Sequence, residues 1–239
     1  LGTDTAGSGR VPASFNNLLG YKPPRGKLSN RGIIPACRTL DCVSVFGLQV
    51  SDIGKVLSVL EEWDPLDPFS RKVEEHTPCS LSETPKVALL SDDLLDFFGD
   101  SMAQKAYEKS VDVLAKSGLD LHPVDLSPFL EAADLLYSGP WVAERYLATS
   151  PLIKESPDSF LPETRRIISG GSEPSAREAF LAQYKLVELG READKIWENF
   201  DFIALTTTGS IINREGNSQD HTDLNTKRDR QTQSRELLA

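Results

Sequence analysis

Of the 239 residues of this chain, Ser8 has the surroundings of a nucleophile. It sits in the opening stretch Gly2-Thr3-Asp4-Thr5-Ala6-Gly7-Ser8-Gly9-Arg10-Val11-Pro12-Ala13. Glycine and alanine here let the backbone pass close to a ligand, and glycine permits a positive φ where the chain must turn. Successive backbone N–H groups in such a turn can converge on one point and bind an anion. A serine hydroxyl beside them completes the parts of an acyl-transfer site: a nucleophile, and donors for the oxyanion of a tetrahedral intermediate. By composition alone the same run also makes an ordinary surface turn, which is the commoner use of Gly, Ser and Thr together. His76, His122 and His221 join no motif that would supply a Ser/His/Asp set, and the G-x-S-x-G elbow is not formed, because Ala6 stands where it needs glycine.

The hydrophobic pattern sets the elements that must hold this loop. Val11 to Leu19 predicts a short helix and Cys42 to Val50 a buried strand or extended run. Ser51 then caps a helix with Ile53, Val56, Leu57 and Leu60 on one face. A polar, Pro-rich connection runs from Trp63 to Thr84. Lys86 to Ser91 reads as a central strand, and Asp100 or Ser101 opens a helix with Ala103, Ala106, Tyr107, Val111 and Leu114 inward and Gly118 as its stop. Leu119 to Leu126 is a second strand, and strand, helix, strand within about forty residues is a crossover unit of an α/β sheet. Ser127 to Thr149 is helical with a break at Gly139-Pro140, and Pro162 to Ser169 is helical too. The longest helix starts near Ser172 and holds Ala179, Phe180, Tyr184, Val187, Leu189, Ala193 and Trp197 before Asp201 to Leu205 returns as a strand.

The opening stretch resembles the nucleophile segment of the amidase-signature family, G-T-D-x-G-G-S-x-R-x-P-A, with Ala6 in place of a common glycine. The similarity continues through Phe15-Asn16-Asn17 and Gly20-Tyr21-Lys22-Pro23-Pro24-Arg25-Gly26, then along Ser29, Gly32, Pro35 and Thr39-Leu40-Asp41. This resemblance implies Ser8 as nucleophile, with the N–H groups of Thr5, Ala6, Gly7 and Ser8 facing the oxyanion. It implies a partial amidase-signature fold of the α/β class, a mixed central β-sheet flanked by helices. The family's triad is Ser–cis-Ser–Lys, and its lysine and middle serine lie well ahead of the nucleophile segment. Only seven residues precede Ser8, so neither has a counterpart here, and the chain reads as a fragment expected to be inactive as written.

Within the family, Pro35-Ala36-Cys37, Leu40-Asp41-Cys42-Val43-Ser44-Val45-Phe46, Leu136-Tyr137 and Trp141-Val142-Ala143-Glu144-Arg145-Tyr146 are similar to the allophanate hydrolase branch. That likeness implies that Tyr137 and Arg145 contact the substrate. Allophanate is urea carrying a carboxylate; a guanidinium can bind a carboxylate through two parallel hydrogen bonds, and a tyrosine hydroxyl can add a third. Taken in isolation, the same segment is an amphipathic helix with Glu144 and Arg145 solvated. The implied function is hydrolysis of allophanate to ammonia and carbon dioxide in urea degradation, with no cofactor and no metal. A general small-amide amidase is the alternative, which an apolar residue in place of Arg145 would favour. A non-catalytic remnant is the other.

A formal charge of −10 argues against general nucleic-acid affinity, and no apolar run reaches the length of a membrane span. Cys37, Cys42 and Cys79 are odd in number and read as reduced structural thiols of a cytoplasmic protein. The expected organisation is a partial amidase domain over 1–212 and a polar tail over 213–239, with a homodimer possible for the intact parent. The tail is too polar to bury enough surface to offset the entropy of ordering.

Overall fold

The structure is a computed structural model and describes residues 1–72 and 81–211. The tail expected over 213–239, and with it His76, Cys79 and His221, lies outside the described residues. The chain divides into two compact units: Leu1–His76 with Asp134–Lys185, and Thr77–Ala133 with Leu186–Leu238. The α/β class expected from the sequence holds, and among the described residues the strands form two sheets of three.

The first unit is built on an antiparallel sheet of β1 (Gly2–Asp4), β2 (Leu19–Tyr21) and β3 (Cys42–Gly47), in the order β1-β3-β2. Cys42, Val43, Ser44 and Val45 of the central strand are all buried. β1 pairs with its first half, placing Asp4 opposite Cys42, and β2 with its second half, placing Tyr21 opposite Val45. The two edge strands have three residues each, too few to show an alternating pattern, so the sequence shows them only as loop. Helix α1 (Arg10–Phe15) joins them and buries Ala13. Helix α2 (Val50–Leu60) starts ahead of Ser51, because Gln49 is extended and its carbonyl already accepts from the Asp52 and Ile53 amides. Its inward face is the one the spacing predicts, with Ile53 buried and Val56, Leu57 and Leu60 half-buried.

The second unit holds a parallel sheet, β5-β4-β6, of β4 (Lys86–Leu90), β5 (Asp120–Val124) and β6 (Phe202–Ala204). Val87 to Leu90 of the central strand are buried. Pro123 is tolerated because β5 is an edge strand among the described residues, where one missing donor breaks no ladder bond to β4 or to another described strand. Helix α3 (Ser101–Lys116) makes the crossover, capped by the Asp100 carboxylate, which accepts from the Met102 and Ala103 amides at 3.0 Å. Ala103, Tyr107, Val111 and Leu114 form its half-buried stripe; Ala106 is exposed, about 100° around the axis from the centre of that stripe. Leu90, Leu126, Phe129 and Ala193 form the core, with Val124, Ile196 and Ile203 packed against it.

Among the described residues, α4 (Ser127–Ser138), α5 (Trp141–Glu155), α6 (Pro162–Ser169) and α7 (Ala176–Trp197) are further helices. The break between α4 and α5 falls at Gly139-Pro140, as the sequence predicts. In α7, Ala182, Leu189 and Ala193 are buried, whereas Phe180, Tyr184 and Val187 are each more than 60% exposed. The helix carries two apolar stripes, and the one made of smaller residues faces inward. Among the described residues no helix is long and apolar enough to cross a membrane.

Candidate active site

Strand β1 delivers the chain to the site at Asp4, which is fully buried. Its carboxylate accepts from the Gly7 amide at 2.7 Å, the Arg10 amide at 3.1 Å, Arg10 Nε at 3.0 Å and Arg10 Nη2 at 3.1 Å. Burial alone would push this carboxyl up. The Arg10 guanidinium and the two amides outweigh it and hold Asp4 below the ordinary carboxylate range. One side chain thus closes the turn from β1 into α1 and ties both ends of the Thr5–Gly9 loop together.

The loop exposes one residue. Thr5, Ala6, Gly7 and Gly9 are buried, and Ser8 between them is exposed. Gly7 sits at φ 107°, a conformation other residues avoid, and so permits the turn that leaves Ser8 outermost. A Cβ on Gly9 would come within 2.8 Å of Ser44 Cβ and 2.9 Å of Asp4 Oδ2, so only glycine fits between β3 and the buried carboxylate. The Gly7 amide is taken by Asp4; its part in the loop is conformational.

A second buried carboxylate holds the start of the loop. Asp41 accepts from Thr5 Oγ1 at 2.5 Å and from the Ala36 and Cys37 amides at 3.0 Å each. A third carboxylate, Glu144 in the first turn of α5, reaches the same segment. Glu144 Oε1 accepts from the Thr39 amide at 2.7 Å; Oε2 accepts from Thr39 Oγ1 at 2.6 Å and from Cys37 Sγ at 3.0 Å. Burial pushes the Cys37 thiol far above its usual range, and the Glu144 carboxylate adds to the effect. Arg145 is the next residue of α5, half-buried with its Nε shut off from solvent. Tyr137 lies in the last turn of α4, so the Gly139-Pro140 break puts the two expected substrate contacts on separate helices. Ser8, Thr5, Ala6 and Gly7 therefore share one loop, and hydrogen bonds through Asp41, Cys37 and Glu144 connect that loop to the helix carrying Arg145. The sequence gives Asp4, Asp41 and Glu144 no part in this. For Asp4 the available signal is an acid three residues ahead of a glycine in a turn, the spacing of a side chain that bonds a nearby backbone amide.

The amidase family profile matches residues 1–234, and the chain belongs to the amidase family. Its similarity to the allophanate hydrolase branch is strong. Urea amidolyase of Saccharomyces cerevisiae is 35% identical over 210 residues, covering 87% of this chain and 11% of that protein. The selenomethionine form of Kluyveromyces lactis allophanate hydrolase superposes with a TM-score of 0.92 at 37% identity, over 99% of this chain and 39% of that one. Urea amidolyase of Kluyveromyces lactis gives 0.90 at 35% identity, over 100% of this chain and 14% of that one. The chain thus spans well under half the length of each of these three relatives.

Proposed function

We propose that this chain carries the nucleophile loop and the substrate-carboxylate contacts of an amide C–N hydrolase acting on allophanate. The observation that carries the reading is an exposed Ser8 on a loop whose flanking residues, Asp4 to Gly7 and Gly9, are buried, with Asp4, Thr5 and Gly7 hydrogen-bonded into place. A serine presented so, with its neighbours immobilised, suits attack on a carbonyl carbon. Ser8 Oγ bonds to the carbonyl carbon and its proton passes to a base. The oxyanion rests on the Thr5, Ala6 and Ser8 amides, with Gly7 turning the chain between them. The C–N bond then breaks, the amine takes up the proton to leave as ammonia, and water releases the acyl group from Ser8. The family's base is a lysine acting through a middle serine, and neither lies within residues 1–239. Arg145 and Tyr137 orient the substrate carboxylate. The reading supports a cytoplasmic enzyme with free thiols at the buried Cys37 and Cys42 and a small anionic amide as its partner.

The test uses the full-length natural chain that carries these residues. Ser8→Ala should abolish ammonia release from allophanate while leaving the circular dichroism spectrum unchanged. Full turnover in that variant would overturn the assignment.

A further inference from the structure

Glu144 belongs to neither the nucleophile loop nor the proposed carboxylate clamp, yet its carboxylate is bonded to the segment that Asp41 ties to that loop. Three donors converge on its carboxylate: the Thr39 amide, the Thr39 hydroxyl and the Cys37 thiol, at 2.7, 2.6 and 3.0 Å. All three belong to the segment 37–41, which Asp41 grips from its other end through the Cys37 amide at 3.0 Å. The same Asp41 oxygen accepts from Thr5 Oγ1, at the start of the nucleophile loop. The result is a continuous path from Thr5 through Asp41 and Cys37 to Glu144, and Glu144 adjoins Arg145 in the first turn of a helix. A surface glutamate at the start of a helix needs only water, and its favourable interaction with the helix end would be small. Here the carboxylate is used up on a segment more than a hundred residues away in sequence.

We propose that Glu144 is a positioning residue that fixes Arg145 in register with the Ser8 loop, so that a substrate held by its carboxylate presents its carbonyl to the serine; this rests on the function proposed above. The size of the substrate makes the register matter. Allophanate has its carboxylate and scissile carbonyl separated by a single nitrogen, so a small displacement of Arg145 moves the carbonyl by nearly the same amount. An uncharged amide that makes no use of Arg145 escapes that constraint.

The experiment is a double-mutant cycle on Glu144 and Arg145 in the full-length natural chain, assayed on allophanate and on malonamide. Glu144→Ala should lower kcat on allophanate by about 10- to 100-fold, the cost of roughly an ångström of misplacement, with KM changed much less. Turnover of malonamide should fall far less. With Arg145→Ala already present, Glu144→Ala should add almost nothing, since it acts through a group no longer there. Glu144→Gln should recover most of the loss, because its amide oxygen accepts from the Thr39 N–H and its NH₂ can donate to the Thr39 hydroxyl. Equal losses on both substrates, or fully additive losses in the cycle, would show that Glu144 only stabilises the fold and would overturn the proposal. Hydrogen exchange across 36–41 is the activity-independent arm: Glu144→Ala should speed it and Glu144→Gln should not. Unchanged exchange in Glu144→Ala overturns the tether whatever the substrate. Altered exchange together with turnover that survives Ser8→Ala would instead overturn the function proposed above and leave the tether standing.

Discussion

Removing the Asp4 carboxylate tests the brace under the nucleophile loop. In Asp4→Ala, the Gly7 and Arg10 amides lose the Asp4 acceptor, and the Arg10 guanidinium loses two hydrogen bonds and the charge of Asp4. Removing one partner of a buried ion pair costs about 3–5 kcal/mol. The Arg10 side chain is 30% exposed, so water recovers part of that, and about 2–4 kcal/mol remains. The cost is local, falling on the turn between β1 and α1, so amide exchange is a better gauge than global melting. At tenfold for each 1.4 kcal/mol, exchange of the Gly7 and Arg10 amides should accelerate by about 30- to 1,000-fold, read by mass spectrometry of the peptide covering 5–11. The pH dependence has a definite sign. The folded carboxyl lies below its model-peptide value of 3.8, so between the two values the unfolded chain binds more protons. The protection it gives is therefore fully present above 3.8 and is lost as pH falls through the depressed folded value. Asp4→Asn has no such titration and should show no acid loss attributable to this site. Unchanged exchange in Asp4→Ala, or an acid loss in Asp4→Asn matching the parent, would refute the reasoning.

Arg145→Ala should weaken allophanate turnover far more than malonamide turnover, because losing a charge-assisted contact to a bound carboxylate costs about 2–5 kcal/mol in kcat/KM; equal losses would make Arg145 structural. Gly9→Ala drives a methyl into the Ser44 side chain and the Asp4 carboxylate, and overpacking of this kind costs about 1–3 kcal/mol. Adding Ser44→Gly should recover part of the lost activity, since it removes one of the two obstructions, and a pair no better than Gly9→Ala alone would count against the geometry. Residues 1–239 expressed by themselves should release no ammonia from allophanate, because a serine hydroxyl needs a positioned base and the family's lysine and middle serine have no counterpart in this sequence; turnover that vanishes in Ser8→Ala would show that a base is supplied from within this stretch. Burial raises the thiols of both Cys37 and Cys42, so neither should be alkylated at pH 8 until the chain is denatured, as peptide mapping would report.

The apolar run of β4 and the helical stripe of α2 were legible in the sequence, and the bounds of α6 lie where they were expected. What escaped was what the chain does at short range and at very long range. β1 and β2 are edge strands of three residues, defined by their pairing with β3, and no periodicity exists over so short a run. In α7 the pattern offered two apolar faces, and only packing decides that Leu189 goes in and Phe180 stays out. The same distinction divides the site. Ser8 and its glycines were legible because their chemistry is local: a turn must be made of residues that can turn. The acids were not. Asp41 works through Thr5, thirty-six residues back, and Glu144 through Thr39, a hundred and five residues away. An acid on a predicted helix face reads as solvated, since exposure is the ordinary fate of glutamate. The half-burial of Glu144 reverses that reading. A carboxylate withdrawn from water needs donors, and the donors it collects bind together segments that nothing in their spacing relates. Asp41 and Glu144 each do this for one stage of the path from the nucleophile loop to Arg145, while Asp4 closes the loop on itself through Gly7 and Arg10. The residues expected to touch the substrate were therefore readable one at a time, while the framework that would hold them in register was readable only in three dimensions.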